Sequence, residues 1–170
     1  MKKQTKRLLI FLTLLPLQAN VHAAENSYML PLTLAVEAAN ETVRSCEALG
    51  YNVSVAFVDM SGQPRVQLKS DKSTPHTFET AYRKAYTIVT FGPNYHIETS
   101  GQVADLMSKN PAIYNAVLTI PNVTPLPGAL AIKVKGNIIG AIGVSGAPGG
   151  DKDEACAQAG IDKISSRLPE

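Results

Sequence analysis

The chain has 170 residues and a formal charge of +2, with 16 basic against 14 acidic side chains. Four of the basic residues, Lys2, Lys3, Lys6 and Arg7, open the chain without an acidic partner. Without them the balance is 12 against 14, about −2. No basic cluster remains downstream, which argues against nucleic acid or an anionic membrane surface as the main partner.

Those basic residues are followed by the apolar run Leu8 to Leu17, and Val21-His22-Ala23 places small residues at −3 and −1 of a cleavage point before Ala24. This is the pattern of a secretory signal peptide over residues 1–23. An apolar run of ten residues is about half of the roughly 20 needed to span a bilayer. The expectation is a periplasmic or secreted protein with no membrane contact after cleavage, made of one domain over residues 24–170.

Within that domain, Leu32, Ala35, Val36, Ala39, Val43 and Cys46 recur at helical spacing from Pro31 to Leu49, and Gly50 is placed as a C-terminal cap. Val53 to Val58 is rich in β-branched and aromatic residues. The turn Asp59-Met60-Ser61-Gly62 then leads to a second strand near Pro64 to Leu68, a β-hairpin. A second helix is predicted from Phe78, Ala81, Tyr82, Ala85, Ile88 and Val89, with Thr74 as its cap, Pro75 at its first position and Gly92-Pro93 as its stop. Val103, Ala104, Leu106 and Met107 suggest a short third helix ending at Asn110-Pro111.

Four prolines, at 111, 121, 125 and 127, forbid a long regular element in the next stretch. Residues Tyr114 to Ile120 stay open between a short helix and an edge strand. Ala129 to Val134 and Ile138 to Val144 form a second hairpin through Lys135-Gly136-Asn137. Beyond the glycine-rich loop Gly143 to Gly150, Asp151 and Glu154 read as the capping box of a last helix, with Cys156, Gly160, Ile164 and Leu168 on one face. The order predicts an α/β (α+β) domain, a central antiparallel sheet of about five strands with helices packed on it. Cys46 and Cys156 both lie on inward stripes, so they form a disulfide if the first and last helices are neighbours and remain two buried thiols if they are not.

Three segments in order, VSVAFVDMSGQ at Val53 to Gln63, HTFETAYRKAYT at His76 to Thr87 and the run from Gly140 to Ile164 containing GAPGGDKDEACAQAG, resemble the GlcG/HbpS family. They are also similar to the carboxy-terminal domain of PduO-type proteins. The resemblance implies a profilin-like α/β fold, assembly into a homo-oligomer, and non-covalent binding of haem or a related tetrapyrrole. One departure is Pro127-Gly128-Ala129-Leu130-Ala131-Ile132, where many relatives carry Gly-Gly-Leu-Pro-Ile.

The candidate ligands are few. Without a Cys-x-x-Cys-His motif, haem must be held through side chains, and downstream of the signal the only histidines are His76 and His96. His76 opens the second helix, where the positive end of the helix dipole favours a neutral imidazole able to bind iron, and the same helix end suits a propionate. The resemblance also falls on His76, the first residue of its motif; the plain alternative is a solvated side chain. Glu79, three residues on, shares its face but lacks a third ligand at fixed spacing for a metal site. Tyr95 and His96 are secondary candidates for axial ligation.

Lys84 and Tyr86 are polar members of a mostly apolar helix, suited to a pocket, an oligomer contact or a solvated face. The glycine loop lacks a Gly-Lys-Ser/Thr ending, and Asp151 would repel an anion there. Ser145 sits in Gly-x-Ser-x-Ala, a poor match to a hydrolase nucleophile. The leading expectation is an exported haem-binding protein for storage, scavenging or sensing. The rival is an enzyme that degrades haem oxidatively or acts on a small organic ligand such as a hydroxy acid, in keeping with the glycolate-gene association of GlcG-like members. A third reading is a structural subunit with a vestigial pocket.

Overall fold

The structure, a computed structural model, describes residues 28–169. The expected signal peptide and its cleavage point lie outside that range. Among the described residues five helices, α1 (Leu32–Ala48), α2 (Thr77–Tyr95), α3 (Ser100–Ser108), α4 (Pro111–Val117) and α5 (Gly150–Ser165), surround four strands. The strands are β1 (Ser54–Asp59), β2 (Pro64–Lys69), β3 (Ala129–Val134) and β4 (Asn137–Ser145). They form one antiparallel sheet in the order β2-β1-β4-β3, with β1 and β4 side by side in its centre. The described sheet thus has four strands where about five were expected, because Tyr114 to Val117 joins helix α4 instead of an edge strand.

The strand period of two sorts the core into two layers. Val55, Phe57, Ile142, Val144, Leu130 and Ile132 face α1 and α5. Val58, Ala141 and Ala129 face α2, α3 and α4. Residues Ser54 to Val58 and Ile139 to Ser145 are buried, so the central strands carry apolar or small side chains on both faces.

Small residues on the second face let α2 lie close to the sheet. A β-carbon at Gly143 would collide with the Ala81 carbonyl oxygen and come within 2.9 Å of the Ala85 amide nitrogen. On the opposite face Gly160 of α5 meets Ala38 and Thr42 of α1 just as closely. This close approach brings Cys46 and Cys156 to a Cα separation of 5.5 Å, and they are joined as a disulfide.

Several helix ends differ from the sequence reading. Helix α2 starts after His76 rather than after Thr74, and His76 makes no side-chain capping bond. It runs through Gly92 and Pro93 and ends on His96, in the left-handed conformation at φ 54°. Gly92 is there for contact, since a β-carbon on it would stand 2.7 Å from Ile138 Cδ1. At α5 the cap is Gly149, and Asp151 falls in the first turn without capping. Glu154 instead accepts hydrogen bonds from the Gly101 and Gly128 amides at 3.0 and 3.2 Å, tying the start of α3 to the start of β3. The capping box that does form is Thr99 with Gln102, at α3. Phe78, Val36 and Leu106, read as inward, are exposed.

The β1–β2 turn is held by Asp59. Its Oδ1 accepts from the Ser61 amide (2.9 Å), the Ser61 hydroxyl (2.6 Å) and the Gln63 amide (3.0 Å). Burial pulls this carboxyl upward, but the Ser61 and Gln63 donors outweigh it and hold it below the usual range. A carboxyl held low stabilises the fold above its unfolded value, about 3.9, and loses that contribution as pH falls through the folded value. Asp59→Asn is therefore expected to cost about 1 kcal/mol at pH 7. Urea unfolding should show the difference between variant and wild type shrinking as the pH is lowered below about 4.

Candidate functional site

Three loops and the starts of two helices meet over one end of the sheet. The chain leaves β4 at Ser145, turns through Gly146 to Gly150 and enters α5, while Thr74 to His76 lead into α2 and Leu126-Pro127 lead towards β3. Between them lies an open cleft of about 440 Å³. His76, Thr74 and Thr80 line one wall, Leu126 and Pro127 another, and Lys84, Asp153 and Ser145 the floor.

The imidazole of His76 is exposed at the rim. The Thr74 hydroxyl lies 3.3 Å from its Nδ1, a contact that leaves Nε2 free for another partner. Leu126 is 46% exposed, an apolar surface on the far side of the same opening.

The floor holds a charge pair that is out of solvent. Lys84 Nζ lies 2.7 Å from Asp153 Oδ2, and the two side chains are only 6% and 4% exposed. Lys84 also donates to the Val144 carbonyl at 2.9 Å, and Asp153 Oδ1 accepts from the Ala147 amide at 3.0 Å. Burial pushes the Asp153 carboxyl up from its ordinary value, against the opposing pull of the Lys84 charge and hydrogen bond. The pair clamps α2, the end of β4 and α5 at the point where the cleft opens. Lys84 therefore lines a pocket and not a solvated face.

The other expected residues are spread out. Glu79 is exposed in the first turn of α2 and does not line the cleft. Tyr95 and His96 are exposed at the far end of the same helix, which at about 1.5 Å per residue is roughly 28 Å away. Within one chain they do not meet His76. Tyr86 packs on the turn at Gly62. Asp153 was not picked out from the sequence, although it stands three and seven residues before Cys156 and Gly160 on the inward stripe of α5. A carboxylate on an otherwise apolar stripe was the available signal.

A second hollow, of about 560 Å³, lies at the opposite end of the sheet between Tyr28, Met29, Met60, Val134 and Ile138. It is lined by more apolar surface but by no imidazole.

Residues 30–162 match the family model described as "Haem degrading protein HbpS-like". The chain belongs to the HbpS-like family. A crystal structure of HbpS itself is 34% identical, with a TM-score of 0.73 over 85% of this chain and 96% of that one. A curated relative from Citrobacter freundii, an uncharacterized 15.0 kDa protein of the dhaT-dhaS intergenic region, is 27% identical over 138 residues, 78% of this chain and 93% of its own length. The structure of a PduOC:heme complex shares the fold at 23% identity and a TM-score of 0.71, covering 81% of this chain and 96% of that chain. The HbpS-like domain therefore accounts for nearly all of the described residues.

Proposed function

We propose that this HbpS-like protein binds haem non-covalently at the His76 cleft, as an exported protein that stores, scavenges or senses it. The observation that carries the reading is His76 itself, exposed with Nε2 unengaged on the rim of the cleft. A volume of about 440 Å³ falls in the roughly 300–1,000 Å³ range of small-molecule sites, and Leu126 and Pro127 offer apolar surface to a macrocycle face. The cleft is open to solvent on one side, so a flat ligand seated there keeps an edge uncovered. Closure by a second copy in a homo-oligomer fits that geometry. The haem held by PduOC in its complex and the haem-degrading description of the family support the choice of ligand. Bound iron would supply redox and ligand-exchange chemistry, and the chain's part is to hold and shield it. The signal-like first 23 residues support export to the periplasm or outside the cell.

Titration of the purified protein with hemin is expected to give a Soret shift, and His76→Ala to weaken binding at least about tenfold, equivalent to about 1.4 kcal/mol. Binding that survives in His76→Ala and is lost on changing Met60 would move the ligand to the second hollow. No Soret shift in wild type would remove haem as the ligand.

Oxidative haem degradation is a second reading, favoured by the buried Lys84–Asp153 pair on the floor of the same cleft. Paired titratable groups of this kind are frequent at reaction centres. Time-dependent loss of the Soret band with a reductant and oxygen, slowed in Asp153→Asn, would support it.

A further inference from the structure

We infer that the floor of the His76 cleft is a carboxylate-binding subsite, built from the Ser145 hydroxyl and the free backbone amides that open α5. The inference rests on the same cleft as the haem reading but not on haem being the ligand.

Ser145 is 5% exposed and lines the cleft. Its neighbour Val144 points into the α1/α5 core, so strand alternation turns Ser145 to the α2 side, where the cleft lies. Ser54, its partner across the ladder, is engaged by Thr77 Oγ1 at 2.8 Å and Ser73 Oγ at 3.3 Å. The Ser145 hydroxyl makes no hydrogen bond with a described residue and borders the open cleft. An acceptor entering the cleft would complete it.

Directly after the turn, Gly150 lines the same cleft and begins a 16-residue helix. The amides at such a start have no carbonyl partner within the helix and carry its partial positive charge. Gly150 packs on Pro127, with 2.6 Å from a would-be β-carbon to the carbonyl oxygen, and its amide donates to no described backbone carbonyl.

Charge selects the kind of anion. Lys84 is matched by Asp153 at 2.7 Å, so the floor offers hydrogen-bond donors without a net formal charge. Asp151, exposed in the first turn of α5, opposes further negative charge. A singly charged carboxylate suits this balance better than a phosphate dianion. Two sources share that chemistry: a propionate of a tetrapyrrole and the carboxylate of a small organic acid.

The test compares hemin with hemin dimethyl ester, whose carboxylates are capped, on wild type and Ser145→Ala, and follows acetate titration by the NMR shift of the Gly150 amide. A hydrogen bond to a charged group predicts that wild type binds hemin about tenfold or more tighter than the ester, and that Ser145→Ala narrows the gap. Equal binding of hemin and ester, with a saturable acetate shift that Ser145→Ala abolishes, assigns the subsite to a small acid. Equal binding with no such acetate shift overturns the proposal and leaves haem binding intact. If hemin does not bind at all, the haem reading fails separately. The acetate arm then decides: a saturable Ser145-dependent shift upholds the subsite, and its absence sinks it.

Discussion

Replacing Cys46 and Cys156 together by alanine is expected to lower the unfolding free energy by about 4–5 kcal/mol. The disulfide closes a loop with a sequence separation of 110 residues, and the chain-entropy argument gives about 4.7 kcal/mol for a loop of roughly 100. Both cysteines are within 1% of full burial, in the seam where α1 and α5 run against each other. Lost packing at that seam adds to the entropic loss. Against a total stability of roughly 5–15 kcal/mol for such a domain, the change is large. At about 2–4 °C per kcal/mol for a chain of this size, the melting temperature should fall by roughly 10–20 °C. Urea unfolding of oxidised, reduced and double-alanine protein measures it. Near-equal midpoints would mean that the α1–α5 packing alone fixes the two helices. Thiol titration in denaturant without reductant should find no free thiol, and two reactive thiols would show that the bond does not form.

The same two cysteines show how far the sequence reading carried. Their places on inward helical stripes left open whether they bond, because periodicity tells which face of a helix is buried but not which helix lies beside it. Neighbourhood came from Gly160, whose missing side chain lets α5 approach Ala38 and Thr42. Strands were legible where burial on both faces made continuous runs, as at Val53 to Val58, or where a turn such as Lys135-Gly136-Asn137 marked a hairpin. The helix ends were not. Gly92-Pro93 has the local chemistry of a stop, yet Gly92 answers to contact with Ile138 and the helix continues to Tyr95. Asp151 and Glu154 have the residue types of a capping box, but Glu154 is drawn to the Gly101 and Gly128 amides. Local signals lose wherever a distant backbone group offers a better partner. His76 was legible as a helix opener with a ring available to a ligand. The floor beneath it was not, because Lys84 and Asp153 are 69 residues apart and no pattern in either helix names the other.

That floor supports the second large effect. Lys84→Met is expected to cost about 3–5 kcal/mol, since it leaves the Asp153 carboxylate buried without a cation. In the variant the carboxyl is held still further above its unfolded value. A raised folded value means that stability is fullest at pH below the unfolded value and is lost as pH rises through the folded one. The deficit of Lys84→Met should therefore shrink as the pH is lowered towards about 4. Removing both charges, in Lys84→Met with Asp153→Leu, should recover much of the loss, because apolar replacement of a buried pair is often neutral or stabilising. The Val144 carbonyl and Ala147 amide, which lose their partners, limit that recovery. The double variant separates two roles for the pair. If it folds and still binds hemin as the wild type does, the pair serves only to clamp α2 to α5. If it folds and binding changes while His76 is untouched, the charged floor takes part in recognition. A double variant no more stable than Lys84→Met would show that the hydrogen bonds to Val144 and Ala147, rather than the attraction between the charges, hold the two helices together.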